Sequence, residues 1–307
     1  MWIPRHENDG LDDSRYHYRV PVHREIVRKP LDGHMSIRKP AFIVAAATGT
    51  ILVLAVLFVI LRQNIVMRAT GSPSRGVSVL FIGNSFIFTN DLPKTLADVA
   101  ASLGDGVAYD QAAPGGYLLM QHAKDPETLK KIQSRKWDYV VLQAQSEEPA
   151  FPDQQLDQLV LPNAVELDRQ IHEANAATRT LFFGTWGYKD GDSRNCPAFP
   201  EICDYRGMQT RLNQGYQLMA EKTGGGLIPV GEAWNRVLQE RPEIELYGDD
   251  GIHPSLEGTY LAACVFYVSI FRKPVIGADS GGINPIHAGW LQEIAQQTVL
   301  GPAPVKP

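Results

Sequence analysis

Val77-Ser-Val-Leu-Phe-Ile-Gly-Asn-Ser85 is the stretch on which the reading of this chain turns. A short, mostly apolar run bounded by glycine reads as a buried strand. The strand stops at Gly83, and Asn84 and Ser85 fall on the turn that follows. Beyond it Leu92, Leu96, Val99 and Leu103 recur at helical spacing, with Asn90 or Asp91 as cap and Pro93 in the first turn. Near the other end, Asp250-Gly-Ile-His253 places a carboxylate and an imidazole three residues apart on one loop. A serine hydroxyl needs a base to become a nucleophile, and the base needs an orienting group. Asp249 competes with Asp250 for the orienting role, and the spacing to His253 favours Asp250.

Working outward, further brief apolar runs predict strands at Val107–Ala112, Asp138–Leu142, Thr180–Phe183 and Leu227–Val230. Helical periods between and after them cover Gln154–Ala174, Tyr205–Lys222, Ser255–Phe271 and His287–Thr298. Such alternation predicts a three-layer α/β/α sandwich around a five-stranded parallel sheet. In such sheets the ligand site lies outside the carboxyl ends of the strands. Ser85 follows the first strand, Gly115-Gly116 the second, Gln143-Ala-Gln145 the third and Trp186 the fourth. Asp250 and His253 come after the fifth. Every polar or glycine-rich feature suited to an active site therefore falls on one edge.

The segment before this domain has a different character. Residues 1–40 are polar and without clear periodicity, and the expectation is a disordered tail. Ala41 to Leu61 is a run of 21 residues without a charge. At about 1.5 Å per residue it is long enough for a hydrocarbon core of roughly 30 Å. A polar leader of 40 residues is long for a signal peptide, and no small-x-small cleavage site follows the run. The expectation is one transmembrane anchor, a linker at 62–76 and a catalytic domain at 77–300. Arg24, Arg28, Lys29, Arg38 and Lys39 precede the span, against Arg62, Arg68 and Arg75 after it. That asymmetry predicts a cytoplasmic N-terminus and a domain in the periplasm or outside the cell.

The net charge of −5 hides a division. Residues 1–40 hold eight Lys/Arg against six Asp/Glu, whereas residues 63–307 hold 20 against 28. An acidic domain argues against nucleic acid as partner. Cys196 and Cys203 sit in a Pro-containing loop, and an oxidising compartment allows them to close a small disulfide loop. Their spacing is not that of a zinc site and no His pair accompanies them. Cys264, in an apolar helix, reads as a buried free thiol. Neither metal nor other cofactor is expected.

At these residues the chain resembles the SGNH (GDSL-like) hydrolases, over roughly residues 77–271. Gly83-Asn84-Ser85, followed by Asn90-Asp91-Leu92-Pro93, is similar to the family's nucleophile block. Pro114-Gly-Gly-Tyr-Leu-Leu-Met-Gln-His122 is similar to its glycine block, and Asp138 to Gln145 takes the place of its third. Asp250-Gly-Ile-His-Pro-Ser255 resembles its last. The resemblance implies a flavodoxin-like sheet and a serine esterase. No Gly-x-Ser-x-Gly elbow surrounds Ser85, which disfavours the α/β-hydrolase alternative. In one respect the chain departs from the family. The third block usually carries Gly-x-Asn-Asp, whose Asn side chain donates to the oxyanion, and here it reads Gln143-Ala-Gln-Ser146.

The resemblance then implies that Ser85, His253 and Asp250 are nucleophile, base and orienting acid. The backbone N–H groups of Ser85 and Gly116 would form the oxyanion hole. A glutamine amide, Gln145 in preference to Gln143, would complete it. Asn84 and Trp186 are candidates for substrate contact, although Asn84 also suits shaping of the turn and Trp186 suits core packing. His122 is expected on a helix surface. The implied substrate is a short acyl ester, with O-acetyl groups on a carbohydrate as the leading class. Two alternatives accompany it: an O-acyltransferase acting on an envelope polysaccharide, and a catalytically weak tethered binding protein.

Overall fold

A computed structural model describes residues 76–301. β1 (Val77–Ile82) lies between β2 (Val107–Ala112) and β3 (Tyr139–Leu142), and β4 (Arg179–Gly184) and β5 (Gly226–Pro229) extend the sheet past β3. The order is β2-β1-β3-β4-β5 and every pairing is parallel. Val79 to Ile82, Val140 to Leu142 and Thr180 to Gly184 are buried throughout, as strands covered on both faces must be. β2 forms an edge, and its Tyr109-Asp-Gln111 remains partly exposed.

The connecting helices are α1 (Leu92–Ser102), α2 (Pro126–Gln133), α3 (Leu161–Ala174), α4 (Tyr205–Thr223), α5 (Val230–Glu240), α6 (Leu256–Phe271) and α7 (Pro285–Leu300). They pack in two groups: α1, α5, α6 and α7 together, and α2, α3 and α4 together. α6 runs through the core with almost every residue buried, Cys264 included. Cys264 is a free thiol, and burial pushes its pKa up, away from the reactive thiolate.

Several local expectations change. The helix expected over Gln154–Ala174 is interrupted: a short turn at Asp153–Gln155 and a π-helical turn at Leu156–Val160 precede α3. Pro162 has no N–H to give, and a widened turn accommodates it at the start of α3. Asp138 does not extend β3. Its carboxylate accepts from Ser78 N (2.8 Å) and Ser78 Oγ (2.7 Å). Val230 opens α5 instead of ending a strand, and Val230, Trp234 and Val237 are buried at helical spacing. α2 was not anticipated, although Asp125-Pro126 is a readable start signal: Asp125 caps Thr128 N at 3.0 Å.

The expected span at Ala41–Leu61 lies outside the described residues, as do residues 1–40 and all of the linker except Gly76. Among the described residues no helix is long and apolar enough to cross a membrane.

The strand order places the site. The chain leaves β1 in one direction to form β2 and later returns beyond β1 to form β3. A crevice therefore opens at the carboxyl ends of β1 and β3, the topological switch point. Ser85 follows one of these strands and Gln143 the other.

Candidate active site

The turn after β1 is built by close approach. A Cβ on Gly83 would lie 2.5 Å from Gln143 Oε1 and 2.7 Å from Ile87 Cδ1, so only glycine fits. Asn84 N then donates to Gln143 Oε1 at 2.9 Å, tying the turn to the end of β3. The Asn84 side chain caps the single helical turn Ser85–Phe88 by accepting from Phe86 N, and its Nδ2 donates to Tyr117 O at 3.3 Å. Ser85, the first residue of that turn, is left partly exposed at the sheet edge.

Ser85 Oγ lies 2.8 Å from His253 Nε2, and His253 Nδ1 lies 2.6 Å from Asp250 Oδ2. Asp250 Oδ1 accepts from Ile252 N and His253 N, both at 2.9 Å. Partial burial pushes the Asp250 carboxyl up, but the hydrogen bonds from the imidazole and those two N–H groups outweigh it and bring it down to about 2. An ionised carboxylate can only accept, so His253 Nδ1 carries the proton and Nε2 is left as acceptor for the serine. Asp249, the competing candidate, is not the residue that holds His253.

Asn90 joins the two halves of the site. Its Nδ2 reaches Pro254 O (2.9 Å), Ser255 O (3.1 Å) and Thr259 Oγ1 (3.1 Å). Asn90 and the Asp91 cap of α1 both adopt left-handed backbone, which Asn and Asp tolerate better than other non-glycine residues. The segment carrying Ser85 is thus stitched directly to the loop carrying His253.

The candidates for the oxyanion corner separate. Gln143 is buried; its Oε1 is held by Asn84 N and its Nε2 by Ala144 O, so it buttresses the nucleophile turn. Gln145 is partly exposed. Its Oε1 accepts from Glu147 N at 3.2 Å and its Nε2 donates to Glu147 Oε2 at 2.9 Å. An amide nitrogen has two hydrogens, and one of Gln145's remains. Gly115 and Gly116 occupy a turn closed by Tyr117 N to Pro114 O, with Gly116 at φ +69° and exposed.

Two expectations about substrate contact fail. Trp186 is buried, stacked between Phe86 (4.7 Å between ring centres) and Trp234 (4.0 Å), and its Nε1 donates to Ile252 O at 3.0 Å. It supports the site from below and has no face left for a ligand. Asn84 is likewise buried, and its Oδ1 and one Nδ2 hydrogen serve the turn.

His122 is also corrected, because it is buried and not on a helix surface. Its Nε2 lies 2.8 Å from Gly83 O and its Nδ1 3.0 Å from Thr128 Oγ1. Desolvation lowers its pKa, only partly opposed by the Gly83 carbonyl and by Asp125. A neutral imidazole with its proton on Nε2 therefore holds the carbonyl just before the nucleophile turn. The sign of the linkage follows. An unfolded histidine binds a proton below about pH 6.5 and the folded one resists it, so His122 contributes stability above that pH that is lost as pH falls. The melting temperature is expected to drop between pH 7.5 and 5, and His122→Gln to flatten that drop. Identical slopes in the two proteins would remove His122 from the account.

No protein-family model matches this chain, and no curated protein matches it. Solved structures do. A protein of the DUF4886 family from Bacteroides uniformis superposes with a TM-score of 0.64 at 21% identity, over 74% of this chain and 95% of that one. A candidate SGNH hydrolase from Slackia heliotrinireducens superposes with a TM-score of 0.52 at 25% identity, over 64% of this chain and all of that one. The domain has the SGNH-hydrolase fold.

Within this SGNH framework, sequence reasoning overlooked one cluster. Glu147, buried beside Gln145, also accepts from Tyr188 OH and from Arg194 Nη2 (3.0 Å). Tyr188 and Arg194 belong to the loop after β4, and the Cys196–Cys203 disulfide closes a later part of that loop. The adjacent pair Glu147-Glu148 a few residues beyond β3 was the available signal, since a carboxylate there must find partners to be buried.

Proposed function

We propose that this chain is a serine esterase releasing short acyl groups, with O-acetyl groups on a carbohydrate as the leading substrate class. The unbroken relay from Ser85 Oγ through His253 to Asp250 carries this reading. In the proposed reaction Ser85 attacks the ester carbonyl while His253 Nε2 takes its proton. Asp250 holds the imidazole and stabilises the imidazolium as it forms. His253 then passes the proton to the leaving alcohol, and water repeats the sequence on the acyl-enzyme. The N–H groups of Ser85 and Gly116 and the second N–H of Gln145 receive the oxyanion.

The Cys196–Cys203 disulfide supports an oxidising compartment, and the uncharged run Ala41–Leu61 supports a membrane tether. Together they favour a domain held on the far side of the membrane from a cytoplasmic N-terminus.

The test is hydrolysis of p-nitrophenyl acetate, butyrate and octanoate by the full-length protein in detergent. A rate that falls with chain length supports an acetyl-sized site, and no turnover of any of the three would sink the esterase reading. Gln145→Ala is expected to lower kcat on the acetate by a factor on the order of 10²–10³ with little change in KM, the usual loss on removing one oxyanion donor. An unchanged kcat would take Gln145 out of the hole.

A further inference from the structure

Glu147 is buried two residues beyond Gln145 and touches it twice. Its backbone N–H donates to Gln145 Oε1 at 3.2 Å, and its Oε2 accepts from Gln145 Nε2 at 2.9 Å. We propose that Glu147 is the positioning residue of the oxyanion corner. It fixes the Gln145 amide so that nitrogen and not oxygen is offered to the oxyanion, and Arg194 cancels the charge that the clamp brings. The proposal rests on the esterase reading with Gln145 as oxyanion donor, and adds what holds that donor in place.

A glutamine side chain ends in a torsion that is broad and roughly two-fold. An unrestrained Gln145 would therefore turn its carbonyl to the oxyanion as readily as its N–H, and a carbonyl there repels the developing charge. Glu147 removes that choice. A backbone N–H only donates and an ionised carboxylate only accepts, so the Gln145 oxygen faces Glu147 N and the nitrogen faces Oε2. Turning the amide over would set donor against donor and acceptor against acceptor. One N–H stays uncommitted, and the clamp sets its direction.

The clamp is itself held. Glu147 Oε2 also accepts from Tyr188 OH, and Oε1 accepts from Arg194 Nη2 at 3.0 Å. Tyr188 is buried; burial first and the Glu147 charge second push its pKa up, so the phenol stays a donor. The Glu147 side chain is only 11% exposed and has little water to turn to. With both oxygens engaged, the carboxylate cannot rotate without losing a partner.

A clamp of this kind has an electrostatic cost. A carboxylate one amide away from a developing oxyanion opposes it, and partial burial strengthens the repulsion. Arg194 pairs with that same carboxylate, so clamp and counter-charge together add no net charge. The Arg194 side chain is 70% exposed, and an ion pair with so exposed a partner contributes little to stability. Its place on this particular carboxylate gives it a role in the site.

The test is kcat and KM on p-nitrophenyl acetate for full-length variants in detergent. Glu147→Met keeps the volume without the acceptor, and its kcat should fall by roughly tenfold to a hundredfold with little change in KM. Glu147→Gln keeps an acceptor opposite Gln145 Nε2 and should recover most of that loss. In the Gln145→Ala background Glu147→Met should lower kcat no further, because a positioning residue acts only through the group it positions. Arg194→Ala leaves the buried volume alone and keeps the test open should the methionine variant not fold. Its kcat should fall roughly tenfold, and not at all once Glu147→Gln has removed the carboxylate charge.

If Gln145→Ala lowers kcat but Glu147→Met does not, the positioning role is wrong and the esterase reading stands. The same holds if the two losses multiply in the double variant, which is what a merely structural role would give. A glutamine variant as slow as the methionine one also overturns the clamp, and an Arg194→Ala rate equal to wild type overturns the charge balance. If Gln145→Ala leaves kcat unchanged, Gln145 is not the donor and the positioning role falls with it. If the wild-type protein hydrolyses no ester, the esterase reading itself fails.

Discussion

Ser85→Ala is expected to lower kcat on p-nitrophenyl acetate by a factor on the order of 10⁴–10⁶ while leaving the fold in place. The hydroxyl has one polar partner, His253 Nε2, and caps nothing: the helical turn it opens is capped by Asn84. Removing it therefore deletes the atom that attacks, with a stability change within about 0.5 kcal/mol, as for a surface substitution away from special features. Near-native melting together with lost turnover separates catalysis from folding. An aryl-ester phosphonate supplies a second readout, because the wild-type protein should take up one equivalent covalently and the alanine variant none. Retention of more than about a tenth of the wild-type rate would mean that another group attacks, and the Ser85–His253 contact would then be structural.

Much of this site was legible in the sequence, and the reasons are local. A buried strand ending in Gly-Asn-Ser can be read because the glycine, the cap and the strand pattern each constrain single residues. Asp250 and His253 are close in sequence, so their spacing already implies contact. What stayed hidden depends on contacts between distant segments. Gln143 and Gln145 leave the same strand end with the same side chain. Their roles divide only because Gly83 lets the nucleophile turn approach Gln143 closely enough to consume its amide. Trp186 looked like a pocket wall because it follows β4 at the active edge. It is covered by Phe86 on one side and by Trp234 of α5 on the other, and α5 itself was not foreseen. His122 appeared to end a short surface helix, and only the close approach of the turn after β1 shows that its imidazole serves Gly83 O.

Asp250→Asn is the second large effect, expected at a factor on the order of 10⁴ in kcat, the usual cost of leaving a serine triad with the wrong imidazole tautomer. The isosteric change isolates that cause. An asparagine Oδ1 can still accept from Ile252 N and His253 N, so the loop conformation should persist. Its Nδ2 would replace Oδ2 opposite His253 Nδ1 and would present hydrogen where the carboxylate presented lone pairs. The imidazole must then accept at Nδ1 and carry its proton on Nε2, facing Ser85 with nothing to take the serine proton. Asp250→Ala is the less informative change because it also removes the backbone caps. The pH profile adds a further check. Asp250 is held ionised down to about pH 2, so the carboxylate acts unchanged across the working range and the wild-type acid limb above about pH 4 belongs to other groups. In Asp250→Asn the rate should therefore be depressed on the plateau as well as on the limb. A variant that recovered the wild-type rate at the pH optimum would show that orientation of His253 does not depend on this carboxylate.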